Sequence, residues 1–239
     1  MKISQRLNLI ESMVNNRYEH IWDCCCDHGL LGAKLLDNDR ASVVHFVDVV
    51  PDLMREVSNK LERFYPAADG KEQRWQVHCI DVALLPLVKR TNSQLIIIAG
   101  VGGELLISLV DAIIAAHPLQ QLEFILCPVH HIYEVRKALK NLGLGLIDER
   151  LLEENRRFYE VLHVSTHSKV PISLVGSQMW DLTRTLDQRY LQKTLSHYLR
   201  IESGQLSRRI STITSVTDVS AEDVSNIIKQ YQALTLDKK

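Results

Sequence analysis

Three aspartates recur at similar places early in the 239-residue chain: Asp23, Asp48 and Asp81 each close a short, mostly apolar run. A carboxylate at such a place does one of two things. It caps the helix that follows by accepting from its free N–H groups, or it accepts hydrogen bonds from a ligand. Asp48 lies 25 residues after Asp23, close to the roughly 20-residue offset at which an acid meets ribose hydroxyls in nucleotide sites. On the ligand reading Asp48 takes both hydroxyls, and Asp81, followed by Val82, takes an adenine amine. The first segment, Asp23-Cys24-Cys25-Cys26-Asp27-His28-Gly29, stands where a dinucleotide site needs a glycine-rich turn for pyrophosphate. Carboxylates at Asp23 and Asp27 repel pyrophosphate and attract a cation. The charges favour an adenosyl ligand bearing an ammonium and a sulfonium over a dinucleotide. His28 either packs in the turn or faces the amino-acid end of such a ligand. Ala99-Gly100-Val101-Gly102-Gly103 is a strand-to-helix turn, and its glycines also let a ligand ring approach the backbone.

Five cysteines, Cys24, Cys25, Cys26, Cys79 and Cys127, are an odd number with three consecutive. That pattern argues against a disulfide framework and for a reducing, cytoplasmic setting. Structural zinc sites use spaced cysteine pairs, and adjacent residues of a strand point to opposite faces. No metal is expected; the cysteines read as small packing residues at a strand end.

The elements that must carry these residues alternate. Strands are expected at His20–Cys24, Val43–Asp48, Trp75–Ile80, Leu95–Ala99 and Leu122–Cys127, the fourth being continuously apolar as a central parallel strand should be. Helices are expected at Leu7–Met13, Gly29–Leu36, from Pro51 through Phe64, at Glu104–Ala116 and at His131–Leu142. Leu144–Arg150 and Tyr159–Thr166 have no helix between them and should pair antiparallel across a charged turn. The expected fold is α/β, a mainly parallel, doubly wound sheet with ligands at the C-terminal strand ends. After residue 167 the pattern becomes helical. Met179 to about Ile213 carries a stripe of Leu191, Leu195, Tyr198, Leu206, Ile210 and Ile213, with a break expected at Gly204. A turn follows at Thr217–Ser220, then a helix through Val224, Ile227, Ile228, Tyr231 and Leu234, making an α-helical hairpin. The domains are thus 1–167 and 168–239.

Hydrophobic residues are 46% and charged residues 24%, with a net charge of −1. This is a globular composition without a membrane-length apolar run. Near-neutrality excludes a basic nucleic-acid coat protein. It leaves room for a local basic patch. Residues 168–239 hold ten basic and seven acidic side chains, a balance of +3 that leaves −4 for the remainder. The helical part is the natural element to face phosphate, or else a solvated face of mixed charge. The chain is a monomer if the hairpin stripe packs on itself and a dimer if the stripe is exposed.

Taken together, these residues resemble the bacterial tRNA (adenine-22-N1)-methyltransferases, which are class I, S-adenosylmethionine-dependent enzymes. Ile3-Ser4-Gln5-Arg6-Leu7 resembles the family's L-S-x-R-L, and Asp23 through Leu31 its D-I-G-x-D-H-x-x-L. Asp81 falls in its G-D-G-L, and residues 99–103 are similar to A-G-M-G-G. Cys127-Pro128 with Val135-Arg136-Lys137-Ala138-Leu139 resembles Q-P-x…L-R-x-x-L. Asp148-Glu149 and Tyr159-Glu160-Val161 resemble its D-E and Y-E-[IV] pairs. Cys25 replaces the loop glycine, Ile80-Asp81-Val82-Ala83-Leu84 loses both glycines of G-D-G-L, and Cys127-Pro128-Val129-His130 departs at the expected target pocket.

The resemblance implies a Rossmann-like seven-stranded sheet with a C-terminal helical domain, S-adenosyl-L-methionine as cofactor and tRNA as substrate. It implies cofactor contacts from Arg6, Asp23, Cys25, Asp27, His28, Gly29, Asp48, Asp81, Val82, Ala99, Gly100, Val101 and Gly102. Adenine N1 attacks a methyl group without prior deprotonation, and the product is cationic unless N6 loses a proton, so a nearby carboxylate or histidine helps. Glu104 and His130 are the candidates by position. Glu104 has a second role available, complementing a helix dipole, and His130 can simply start a helix. The competing function is a non-catalytic adenosyl-ligand-binding protein whose helical hairpin recruits a partner. A dinucleotide-dependent oxidoreductase ranks below both, for want of G-x-G-x-x-G.

Overall fold

The computed structural model describes residues 3–67, 70, 72–88, 93–211 and 219–235. It divides into two compact units, 1–178 and 179–239. In the first, the strands are β1 (Tyr18–Cys24), β2 (Ala41–Asp48), β3 (Trp75–Cys79), β4 (Gln94–Ala99), β5 (Glu123–Cys127), β6 (Gly145–Glu154) and β7 (Arg157–Ser165). They form one sheet in the order β3-β2-β1-β4-β5-β7-β6. β1 to β5 pair parallel, and β7 runs antiparallel to both β5 and β6. The order reverses between β1 and β4, which opens a crevice at their C-terminal ends.

The helices are α1 (Gln5–Ser12), α2 (Leu30–Asp37), α3 (Pro51–Phe64), α4 (Gly103–Ala116) and α5 (Ile132–Asn141). Strand β4 shows why both faces need helices. Ile96 and Ile98 belong to one core with Leu106, Val110 and Leu139, whereas Leu95 and Ile97 belong to the other with Ile10, Leu35 and Val57. All four β4 side chains are fully buried, as the period-two alternation of a doubly covered strand requires.

Strands β6 and β7 are longer than their sequences suggest. The expected charged turn shrinks to Asn155 and Arg156, with φ of 52° and 62°. Glu153, Glu154 and Arg157 join the ladder, because a pair free on one side solvates its charged side chains there. Residues 168–178 then pack along β6: Leu146 N donates to Val170 O at 2.8 Å, and Ile172 enters the core.

A buried ion cluster holds this edge together. Arg136 of α5 donates from Nε and Nη2 to Glu160 of β7, at 2.8 and 2.6 Å. Its Nη1 lies 2.7 Å from Glu149 of β6 and donates to Ser173 O at 3.0 Å. Glu149 also accepts from the backbone N–H groups of Ser177 and Gln178. All three charged side chains are buried. Burial opposes the charge on Arg136, but the Glu160 and Glu149 carboxylates outweigh it and raise its pKa further.

Elsewhere, His20, His45 and His78 hydrogen-bond in series across β1, β2 and β3, at 3.0 and 2.9 Å. His45 stacks on Trp22 with centroids 3.8 Å apart. Burial first, then the neighbouring imidazoles of His78 and His20, push the His45 pKa down to about 3.

The second unit holds α6 (Thr185–Ser211) and α7 (Val219–Ala233), packed together with Tyr198 stacked on Tyr231. α6 starts six residues later than expected, because Asp181 accepts from Thr183 N and Oγ1 and sets a turn first. It passes through Gly204 without a break. Leu206 of the expected stripe is exposed. Ile210, Ile213 and residues 217–218 of the expected turn lie outside the residues whose side chains are described, and Val219-Ser220 already open α7.

Replacing Arg136 by Ala leaves two buried carboxylates without a counter-charge. Urea denaturation should show a loss of about 3–5 kcal/mol, against about 1 kcal/mol for an exposed pair such as Arg17–Asp39.

Candidate functional site

The crevice at the switch point holds a cleft of about 330 Å³, within the range of small-molecule sites. Arg6, Asp23, Cys25, Asp27, His28, Ala99, Gly100 and Val101 line it, with Leu7, Cys24, Cys26, Leu30 and Leu31. Of the other anticipated residues, Gly29, Asp48, Asp81, Gly102, Glu104 and His130 lie outside this lining. The Val82 side chain turns away into the core, so only its backbone could serve a ligand.

Asp23 is the penultimate residue of β1, buried against α2. One oxygen accepts from Gly32 N at 2.8 Å. Burial pushes its pKa up to about 7, with a contribution from the Asp48 charge and against the Gly32 hydrogen bond. The sequence motifs do not single out Gly32, although a glycine inside a helix is a signal in itself. A Cβ there would stand 2.2 Å from the Phe46 ring. The bare backbone is what lets α2 settle close enough to donate to Asp23.

The loop after β1 is strained where it passes the cleft. Cys25 has φ 56° and Asp27 has φ 50°, and Gly29 follows at 71°. This left-handed conformation suits glycine and costs other residues about 1–2 kcal/mol. It gives a physical reason for a glycine where this chain has Cys25. Burial, then Asp48, Asp23 and Asp81, push the Cys25 thiol up to about 11, so it is neutral at physiological pH and adds no charge to the cleft.

The loop is tied to β2. Asp48 accepts from Asp27 N and Val50 N, each at 3.2 Å. Both contacts are long, and both oxygens keep lone pairs free. Asp81 caps the 3-10 turn Val82–Leu84 by accepting from Ala83 N at 2.9 Å through Oδ1, which leaves Oδ2. His28 stands between Asp27 and Glu56, at 3.6 and 3.7 Å.

On the opposite wall, Gly100 adopts φ 84°, and a Cβ there would meet the Arg6 guanidinium at 3.6 Å. Arg6 lies over the Tyr159 ring, 5.0 Å from its centroid. Its Nε is buried with no hydrogen-bond partner among the described residues. The cleft therefore offers a buried carboxyl group on one side and an incompletely paired guanidinium on the other. That pair suits a ligand end carrying both an ammonium and a carboxylate.

At the rim, the His130 ring fills the space of a missing Gly102 side chain, since a Cβ there would be 2.9 Å from its Nε2. His131 packs edge-on against His130 and holds φ 60°. Its Nδ1 lies 3.6 Å from Glu104 Oε1. Leu84, in the turn after β3, Leu105, in the first turn of α4, and Val129, just after β5, are exposed, and Val129 N donates to O of the lining residue Val101 at 3.0 Å. Cys25→Gly should stabilise the protein by up to about 1 kcal/mol in urea denaturation, the relief of strain outweighing glycine's greater chain entropy.

No curated protein matches the sequence. Solved structures do. The chain superposes on the m1A22 tRNA methyltransferase TrmK of B. subtilis with a TM-score of 0.70 and 21% identity, covering 97% of this chain and 98% of that one. TrmK of M. capricolum, solved with S-adenosyl-homocysteine, gives 0.70 at 15% identity and 98% of each chain. Sp1610 of Streptococcus pneumoniae, solved with S-adenosyl-L-methionine, gives 0.73 at 20% identity over 97% of this chain and 99% of that one. At these identities the likeness is one of fold. A family model described as a methyltransferase domain matches residues 3–162, which takes in every strand and helix that frames the cleft. The chain belongs to the methyltransferase domain family.

Proposed function

We propose that the protein transfers the methyl group of S-adenosyl-L-methionine to N1 of an adenine in tRNA, position 22 by resemblance, in the cytoplasm. The observation that carries the cofactor assignment is that one cleft is lined by both buried Asp23 and Arg6, whose Nε has no hydrogen-bond partner among the described residues. These groups match an amino-acid zwitterion, and a pyrophosphate would meet the wrong charge at Asp23. The solved relatives with S-adenosylmethionine or its product support the same choice. Five free thiols fit a reducing compartment. Residues 1–167, with the segment 168–178 packed on β6, form the cofactor-binding part, and the helices beyond serve RNA recognition.

When bound, the cofactor supplies an electrophilic methyl carbon on a sulfonium. Arg6 holds the carboxylate and Asp23 the ammonium. Asp48 accepts from the ribose hydroxyls, with Asp27 N–H keeping its carboxylate oriented. Asp81 uses Oδ2 for the adenine amine, and the Gly100–Gly102 backbone makes room for the ring. Leu105 and Val129 offer apolar contact to a target base lifted from its stack. Alignment and exclusion of water provide most of the acceleration. Glu104 or His130 would stabilise the cationic product by its charge or accept a proton lost from N6.

Calorimetry should show binding of S-adenosylmethionine and S-adenosylhomocysteine and none of NAD. Labelled donor should mark unmodified tRNA, and Asp48→Ala should abolish transfer. Absence of adenosyl binding overturns the proposal; binding without transfer to any tRNA leaves a non-catalytic binder.

Asp23 also sets a pH dependence. It must ionise to pair with an ammonium, and in the free protein it does so near pH 7. Cofactor affinity should therefore weaken by up to about tenfold per unit as pH falls below 7. The same shift means the folded state holds a proton that the unfolded chain releases between its ordinary carboxyl range and pH 7, so the free protein loses stability as pH rises through that window. Asp23→Asn should flatten both profiles and weaken binding at pH 8.

A further inference from the structure

The β6–β7 pair reaches beyond the sheet at the same edge as the cleft. The last pairing of β7 with β5 is Leu162 with Leu126. Five more residues of β7, from Val161 back to Arg157, run past it, still paired with β6. At roughly 3.3 Å per residue the arm overhangs by about 16 Å. It is braced on α1: Gln5 N donates to Glu154 Oε1 at 2.5 Å, and Tyr159 lies under Arg6, which lines the cleft.

Its tip is Asn155-Arg156-Arg157, all exposed. Asn155 and Arg156 both have positive φ, the geometry of a two-residue hairpin turn in which Asn-Gly is preferred. Arginine at the second position is a local cost that the turn itself does not require. Among the described residues, neither guanidinium has a hydrogen-bond or ion-pair partner. Across the mouth the signs reverse, because Asp27, Asp48 and Asp81 stand at the ends of β1, β2 and β3. A polyanion is repelled on that side; on the arm it meets the two tip arginines first, with Glu153 and Glu154 set one step behind them and Glu154 engaged by Gln5 N.

We propose that Arg156 and Arg157 grip the phosphate backbone beside the nucleotide presented to the cleft, so that the first unit engages RNA directly. The proposal rests on RNA being the substrate. A planar guanidinium binds phosphate oxygens in pairs, and a hairpin turn braced by α1 presents it with little freedom to lose.

The test is fluorescence anisotropy of the full-length protein with an unmodified tRNA transcript across a series of salt concentrations. Arg156→Gly gives the turn its preferred Asn-Gly pair and should leave the thermal midpoint unchanged or raised. Combined with Arg157→Gln, it should weaken RNA binding about tenfold. The slope of log K against log salt should fall by about one for each phosphate that is no longer neutralised. Affinity for S-adenosylmethionine should stay the same. An RNA affinity and salt slope equal to wild type in the double variant overturn the arm's role while leaving the substrate class intact. Failure of the wild-type protein to bind any tRNA overturns the RNA reading itself, and the arm's role with it.

Discussion

The Arg136 cluster is the constraint on which the site edge of the sheet depends. A buried arginine is tolerated only when its charge is matched and its N–H groups are occupied. Here Glu149 and Glu160 match it, and Ser173 O takes a further donor. The surplus negative charge is met by the backbone N–H groups of Ser177 and Gln178 on Glu149. One guanidinium thereby fixes α5, β6, β7 and the returning chain to each other. Each of the three residues lies in a different segment of the family resemblance. What looks like scattered motif letters in the sequence is one electrostatic unit in the fold.

Opposite this edge, the loop after β1 carries costs of another kind. Asp23 is held in a place where its charge is disfavoured, and Cys25 and Asp27 are held in left-handed conformations. Each costs stability in the free protein, and each lies on the wall of the cleft. Strain and desolvation concentrated at one loop are expected where a ligand supplies the missing partner. A cationic group beside Asp23 stabilises its charged form, so binding energy recovers part of what folding gives up.

Much of this is legible in the sequence. Leu95 through Ala99 can only be a central strand, because a continuous apolar run has no face for water. The aspartates can be placed at strand ends because each closes such a run. The sequence leaves open whether Asp81 caps or binds, and in the fold it caps through Oδ1, with no partner for Oδ2 among the described residues. Charge is the main source of misreading. Glu153, Glu154 and Arg157 look like turn residues, yet they are strand residues on an arm with solvent beside it. Arg136, Glu149 and Glu160 look like surface residues one at a time, and only their convergence makes burial possible. Gly204 reads as a break, but its open surroundings leave nothing to bend the helix, so the residue costs only its propensity.

Two cations of the first unit, Arg6 and Arg136, connect the two walls of the site through the arm. A two-stranded hairpin extending past its sheet is marginal by itself. Its base is held by Arg136 through Glu160, and one residue further along β7 Tyr159 meets Arg6. Arg6 in turn reaches the cleft beside Gly100. The side chain proposed to hold the amino-acid end of the ligand therefore also packs on the arm that overhangs the mouth. A carboxylate bound at Arg6 would withdraw charge from the Tyr159 ring, and loss of the arm would leave Arg6 without its platform. Cleft and arm thus share one guanidinium as a common support. A near-zero net charge is compatible with this design, because carboxylates and arginines that cancel in the sum stand on opposite sides of the mouth.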